Sequence, residues 1–584
     1  MQRLFLIAIF YALFSAVPLF AQVENENHGV IYIKLGNLLR RGHQHTLAEY
    51  YIKKGLPLVK GKDKFWEASA YEALGLVYKN IGVEELSQKF FLDALNLYVA
   101  EKNVLAEKAL SDILEGDNPN TALFSDVKVP TPAHARDAFI LMKTGAVLVE
   151  AKQYDLAQAC IEKALVYAKD KNLYWEATAY EYLGMLGWDK NNNQMAAQYY
   201  NMAQSRFEKN KNFISAALVR HLLKAVQETE EVYGGIEIGA KGIKANVIGI
   251  VLTKKGDYKV KVKYTEVDNN TNLSILHTGD MLAAEKLDKT ANTVKFYYDK
   301  LMAEQGVTAD RIFVVASSSV AAAKNAEALR KKILAAFTVA DISPTVNFTT
   351  TEKETEYDIL GVVPDNMLFQ SAVIDVGSGN TEVGCLLPEG EKRVNYFAVP
   401  YGAENLRALV KEEQKKGGDF NNLAKTTIRT KVEPEIVNYI AKSAALKSRK
   451  EIYLLGGAAW ALVTYLYPQQ ADQATITLTT ADIGKFRDMS TLLYDKLTNP
   501  DLSKITDAAV KQKATADIQQ VKEVFDKESL ATGALLLATA ANNLNGTATD
   551  KKFIFARSGL SAWISGYAVQ YITDGYKKLK EVEE

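Results

Sequence analysis

Three short segments of this chain combine residue types and spacings suited to phosphate chemistry. Asp375 ends an apolar run between Ile374 and Val376, and Gly377, Ser378, Gly379, Asn380 and Thr381 follow before Glu382 opens a second apolar run. Glycine and small residues at such a turn let backbone amides crowd around an anion, while the acid before the turn faces the same space and can hold a hydrated cation. Glu237-Ile238-Gly239-Ala240-Lys241-Gly242 has the same form, with Lys241 as a positive charge for a phosphate. Leu455-Gly456-Gly457-Ala458-Ala459 is the third glycine element. A single glycine turn between strands is commonplace, whereas two that face each other make a phosphate clamp.

The elements that must carry these turns are legible around them. Gly235 to Gly239 and Ala245 to Leu252 alternate and are rich in β-branched residues, as two strands joined by a glycine turn. Ser371 to Val376 and Glu382 to Leu387 repeat that hairpin, with further strand and helix signals between the two. The repetition predicts a duplicated α/β lobe.

Upstream the periodicity is helical and internally copied. Phe65-Trp66-Glu67-Ala68 leading to Leu74-Gly75 matches Tyr174-Trp175-Glu176-Ala177 leading to Leu183-Gly184. Gly36 and Gly75 are separated by the same 39 residues as Gly145 and Gly184, and small residues follow each glycine at Ala48 and Gly55, Ser87 and Ala94, Ala157 and Ala164, and Ala196 and Ala203. Small residues at these offsets let antiparallel helices approach closely, with Phe91 or Tyr200 filling the space between them. Residues 27–225 thus resemble tetratricopeptide repeats, although the period exceeds 34 residues, which predicts inter-helix loops longer than usual. Asn118-Pro119 and the prolines at 130 and 132 mark a break between the copies. The resemblance predicts an all-α solenoid whose concave face, built from the first helices, takes a protein partner.

From residue 232 on, the order of motifs resembles the actin-like ATPase superfamily and, within it, the exopolyphosphatase and guanosine pentaphosphatase family. The segments that carry the resemblance are Gly235 to Ala245, Val315-Ala316-Ser317-Ser318-Ser319-Val320, Glu352-Lys353-Glu354-Thr355, Val373 to Glu382 and Tyr453 to Ala458. It implies a ribonuclease H-like, two-lobed α/β domain. It implies Glu354 as the catalytic glutamate that prepares water, and Asp375, Glu237 and Glu382 as acids around Mg2+. Phosphate would be gripped at Gly239, Lys241, Gly377, Ser378, Gly379, Asn380, Thr381, Gly456 and Gly457. The first loop departs from the family pattern: glutamate replaces aspartate, and the hydroxyls and the asparagine between them give way to Ala240, Lys241 and Gly242. The family's arginine is Ala321 here.

The whole chain narrows the function further. Residues 1–21, with Arg3 before an uncharged stretch and Ala21 at its end, have the layout of a signal peptide, so a periplasmic protein is expected, membrane-anchored if the leader stays. Lys and Arg number 70 and Asp and Glu 70, which gives no global basic field for nucleic acid. At 584 residues several domains are expected: the leader, helical repeats over 27–225, lobe I over 232–365 and lobe II over 366–584, with a C-terminal helix free to return to lobe I. The expected activity is hydrolysis of polyphosphate or a related phosphoanhydride, since such a reaction needs only water and magnesium outside the cell. The alternative is a lapsed phosphate- or nucleotide-binding module that serves as an interaction scaffold.

Overall fold

The computed structural model describes residues 28–116, 120–253, 258–268, 281–337, 344–388, 393–546 and 551–581. The signal-peptide reading falls outside these residues. Among them, no helix is long and apolar enough to cross a membrane. The described residues divide into two compact units, one within residues 28–230 with 251–259 and 571–581, the other within 231–250 and 260–570.

The first unit is built from helices α1 (His28–Arg41), α2 (His45–Val59), α3 (Lys64–Asn80), α4 (Glu84–Ala100), α5 (Val104–Glu115), α6 (Ala135–Glu150), α7 (Tyr154–Ala168), α8 (Leu173–Asp189), α9 (Asn193–Lys209) and α10 (Phe213–Val226). Asp63, Asn103, Asn172, Asn192 and Asn212 cap helix starts by accepting a backbone N–H. The conspicuous glycines are the points of closest approach within helix pairs. A methyl group on Gly36 would strike Ile52, on Gly75 Phe91, on Gly145 Ile161 at 2.6 Å, and on Gly184 Tyr200 at 2.6 Å. The long period has a different cause from the one expected. Connections such as residues 42–44, 81–83 and 190–192 are short turns, and several helices run to 17 residues, so the extra length lies in the helices.

Among the described residues, the inner sides of the first helices of the pairs bury many groups against one another. Lys143 on α6 donates to both carboxylate oxygens of Glu72 on α3 at 2.9 Å, with neither side chain more than 2% exposed. Arg40 and Arg41 on α1 hold Glu150 of α6 at 2.5 and 2.7 Å, and Arg41 also reaches Asp189 of α8 at 3.2 Å. Lys34 lies 4.0 Å from the Trp175 ring centroid and bonds Thr178, and the Trp66 and Trp175 rings are 6.0 Å apart. Apolar groups and paired polar groups occupy these inner sides, the pairing offsetting the cost of burying charge.

The second unit has two sheets of matching topology. Strands β1 (Glu231–Ile238), β2 (Ile243–Leu252), β3 (Tyr258–Asp268), β4 (Ile312–Ala316) and β5 (Thr345–Phe348) form the order β3-β2-β1-β4-β5. Strands β6 (Ser371–Val376), β7 (Thr381–Leu386), β8 (Val394–Val399), β9 (Glu451–Leu455), β10 (Thr475–Leu478) and β11 (Lys552–Ala556) form β10-β11-β9-β6-β7-β8. Leaving aside the added edge strand β10, the second order repeats the first: third, second, first, fourth, fifth. Strands β1, β4 and β5 run parallel, as do β6, β9 and β11, and both opening hairpins are antiparallel. This is an actin-like, two-lobed arrangement.

Two helices cross between the lobes. Thr351–Val362 follows β5 in the chain but packs on the second sheet, where Thr355 occupies the space above Gly384. The final helix starts at Ala562 and returns to the first sheet, with Ile564 against Gly235 and Tyr567 bonded to Asn347. The two helices meet at Gly361 on Ala562 and at Gly566 on Tyr357, where any Cβ would collide with backbone.

Candidate active site between the lobes

The hairpin turns position the site. In β1–β2, Ile238 pairs with Ile243 and Glu237 with Lys244; in β6–β7, Val376 pairs with Thr381 and Asp375 with Glu382. Each turn is closed from its first glycine, Gly239 N donating to Gly242 O at 2.9 Å and Gly377 N to Asn380 O at 3.1 Å. The second turn is braced from behind by the helix Ala403–Gln414. Its first amides donate to Gly377 O (Ala403 N, 2.9 Å) and to Ser378 O (Glu404 N, 3.0 Å), and Asn405 Nδ2 holds Gly379 O at 2.7 Å. The amides of Ala240, Lys241, Gly242, Ser378, Gly379 and Asn380 donate no hydrogen bond among the described residues.

All six of these residues line one cavity of about 240 Å³, together with Glu237, Lys244, Ser317, Ser319, Glu354, Asp375 and Trp563. The two turns face each other: a Cβ on Gly379 would lie 3.9 Å from Ala240 Cβ of the first turn, and it would touch Ser319 Oγ, from the segment after β4, at 3.2 Å. Unused amides at a pair of facing turns form an anion cradle.

Three carboxyl groups, Glu237, Glu354 and Asp375, line this cavity. Glu354 is buried in the first turn of Thr351–Val362, capped by Thr350, and its Oε2 accepts from Ser318 N at 2.7 Å. Burial raises its pKa. Burial, and then the charge of Glu354, pushes Asp375 up to about 7. Its Oδ1 is a buried acceptor with no hydrogen-bond partner among the described residues. Burial likewise raises Glu237, which accepts from Asn246 Nδ2 at 2.7 Å and lies 3.7 Å from the Lys244 ammonium. These donors are all hard oxygens, and no three of the cluster's carboxyls present ligand atoms within 4.8 Å of one another. Such a set suits a cation that keeps several waters and takes the rest of its shell from phosphate oxygens, as magnesium does.

Several residues expected here stand elsewhere. Glu382 is absent from the cavity wall and its oxygens are engaged: Asn380 Nδ2 donates at 2.6 Å, Thr355 Oγ1 at 2.9 Å and Ser318 Oγ at 3.3 Å. It orients Asn380 rather than facing an ion. Thr381 is buried and donates to Tyr401 O at 2.8 Å, a lock on the strand end. Gly456 and Gly457 are absent from the cavity wall. Gly456, at φ +80°, leaves room for Asp375 Oδ1 and Val376 O, and Gly457 faces Phe525. Lys241 lines the cavity, but its ammonium is held by Glu404 Oε1 at 3.0 Å and Val524 O at 2.9 Å. Gly239, Gly377, Ser378, Gly379, Asn380, Glu237, Glu354 and Asp375 do converge on the cavity.

The structure adds residues that the motifs do not reveal. Asp358 is 2% exposed and its Oδ2 has no hydrogen-bond partner among the described residues; burial and then the charge of Asp375 hold its pKa well above the usual range. It stands four residues after Glu354 on one helix, which places both on one face. Lys244 could have been found by counting across the turn, since a four-residue Gly239–Gly242 loop sets it opposite Glu237.

No family model matches the chain, and no curated protein matches it. Among solved structures it is similar to the Aquifex aeolicus Ppx/GppA phosphatase, type II variant, at 19% identity over 58% of this chain and 98% of that one, with a TM-score of 0.36. An exopolyphosphatase from Cytophaga hutchinsonii matches at 13% identity over 59% of this chain and 98% of that one, TM-score 0.35. The MamK double helical filament matches at 9% over 39% and 86%, TM-score 0.21. Two sheets with one strand order, two crossing helices and a cavity between paired glycine turns make the second unit an actin-like, two-lobed domain.

Proposed function

We propose that the second unit hydrolyses a phosphoanhydride, releasing the terminal phosphate of a linear phosphate chain. The observation that carries this reading is the meeting, at one cavity, of six unused backbone amides with Glu354 and with Asp375, whose Oδ1 has no hydrogen-bond partner among the described residues. Phosphoryl transfer asks a protein for positioning, charge neutralisation and an oriented water more than for covalent chemistry. The amides of the two turns grip phosphate oxygens. Glu354, anchored through Oε2 on Ser318 N, keeps Oε1 to orient a water and accept its proton. Asp375, with Glu237 beside it, would hold magnesium, which neutralises charge on the phosphate oxygens. Glu382 and Thr355 fix Asn380 at the turn.

In this reading the chain is exported to the periplasm and its helical unit recruits a protein partner. A second reading, a lapsed phosphate- or nucleotide-binding scaffold, is favoured by one observation: Ala321 supplies no cation where the resembled family has arginine. The test is phosphate release from long-chain polyphosphate with Mg2+. Release above the uncatalysed rate that depends on Glu354 supports the hydrolase. Binding of polyphosphate without release leaves the scaffold.

A further inference from the structure

The cavity's rim carries an ion pair that the proposed reaction does not use. Lys241 sits in the first turn, on lobe I; Glu404 sits in the first helical turn of Ala403–Gln414, on lobe II. Their charged atoms are 3.0 Å apart, each side chain is about a quarter exposed, and the contact spans from one lobe to the other. The same ammonium takes the carbonyl of Val524, at the end of the helix Ala508–Val524, and lies 5.5 Å from the Phe525 ring centroid. Glu404 also meets Arg407 at 3.1 Å, and Arg407 meets Asp526 at 2.8 Å.

Two features make this pair more than a surface contact. Lys241 is a member of the cavity wall, so an anion between the turns and the Glu404 carboxylate are alternatives for one ammonium. In addition, Glu404 keeps Arg407 when Lys241 leaves it, so exchanging partners strands no charge. The helix that bears Glu404 also braces Gly377 and Ser378, so the tie fixes the first turn relative to the second.

We propose that Glu404 is a built-in competitor that masks Lys241, and that a phosphate-chain anion must displace it to gain this cation, so that the pair lowers the affinity of the cavity. The proposal rests on the cavity being the phosphate site put forward above. A partly exposed ion pair contributes on the order of 1 kcal/mol, which corresponds to about five-fold in affinity.

The experiment is calorimetric titration of the full chain with imidodiphosphate, a pyrophosphate analogue that resists hydrolysis, in Mg2+ at low salt. Wild type, Glu404→Gln, Lys241→Met and the double variant are compared after their melting temperatures are matched. Glu404→Gln should bind about five-fold more tightly, Lys241→Met no more tightly than wild type, and Glu404→Gln should give no gain in the Lys241→Met background. Glu404→Asp, which shortens the reach, should fall between wild type and Gln. Equal or weaker binding by Glu404→Gln overturns the proposal. So does a gain that survives without Lys241, which would be a general effect of charge, and so does an absence of binding in all four proteins. Polyphosphate turnover is measured in parallel: tighter binding by Glu404→Gln with no turnover in wild type would retain the tie and reject the hydrolase.

Discussion

At the scale of single residues, Glu354 and Asp375 carry different expectations although both are buried carboxyls in one cavity. Glu354→Gln keeps the hydrogen bond from Ser318 N and the shape of the side chain while removing the proton acceptor. Turnover should fall roughly 10² to 10⁴-fold, the usual worth of a general base, with magnesium binding retained. Asp375→Asn removes the unpartnered oxygen's charge, so the concentration of Mg2+ needed for half-maximal rate should rise at least ten-fold. Phosphate release against Mg2+ concentration separates the two; identical profiles for both variants would contradict the division of roles. Glu354 and Asp375 are legible in the sequence because each stands beside a recognisable motif. Asp358 is not, since a run of charges from Glu352 to Asp358 reads as a solvated helix face. Only the packing of Thr351–Val362 on the second sheet turns Glu354 and Asp358 inward. Glu382 shows the converse: its motif is plain, but its partners Thr355 and Ser318 come from segments whose approach no spacing reveals.

At the scale of elements, glycines record where backbones must touch. The offset from Gly36 to Ile52 recurs from Gly75 to Phe91, Gly145 to Ile161 and Gly184 to Tyr200, so the pairing of neighbouring helices is readable from the chain alone. What is not readable is the burial of the first helices on each other, because Lys143, Glu72, Arg40 and Glu150 look like ordinary exposed helix residues until they pair. Lys143→Met would leave the buried Glu72 carboxylate with no opposite charge and only the Tyr98 hydroxyl donating to it, at a cost of about 3 to 5 kcal/mol, seen as early loss of helical circular dichroism on heating. The crossing of Thr351–Val362 with the final helix is similarly hidden. Gly361→Ala would push against the Ala562 backbone and should cost about 1 to 3 kcal/mol. Because Glu354 and Asp358 ride on that helix, the same change should lower turnover more than a surface Gly484→Ala, whose added methyl meets nothing within 4 Å. Equal turnover in the two variants would separate the crossing from the site.

At the scale of the whole molecule, the acids of the cavity tie stability to pH and metal. Glu237, Glu354, Asp358, Asp375 and Glu382 all have pKa values raised by burial, Asp375 to about 7. A carboxyl with a raised native value binds its proton more tightly folded than unfolded. Its contribution is therefore fully present below the unfolded value of about 4 and is lost as pH rises through the native one. Without divalent ions, the melting transition of the second unit should fall by several degrees between pH 5 and pH 8. Magnesium binds the ionised form, so millimolar Mg2+ should restore the transition at pH 8 and change it little at pH 5. Asp375→Asn isolates the effect, because asparagine resembles the protonated acid. The variant should melt higher than wild type at pH 8 without metal, show a shallower dependence on pH, and respond weakly to Mg2+. Scanning calorimetry at the two pH values, with and without Mg2+, decides the matter. A wild-type transition that rises from pH 5 to pH 8, or an Asp375→Asn variant that melts lower than wild type at pH 8, would mean that Asp375 is ionised and already compensated in the metal-free protein.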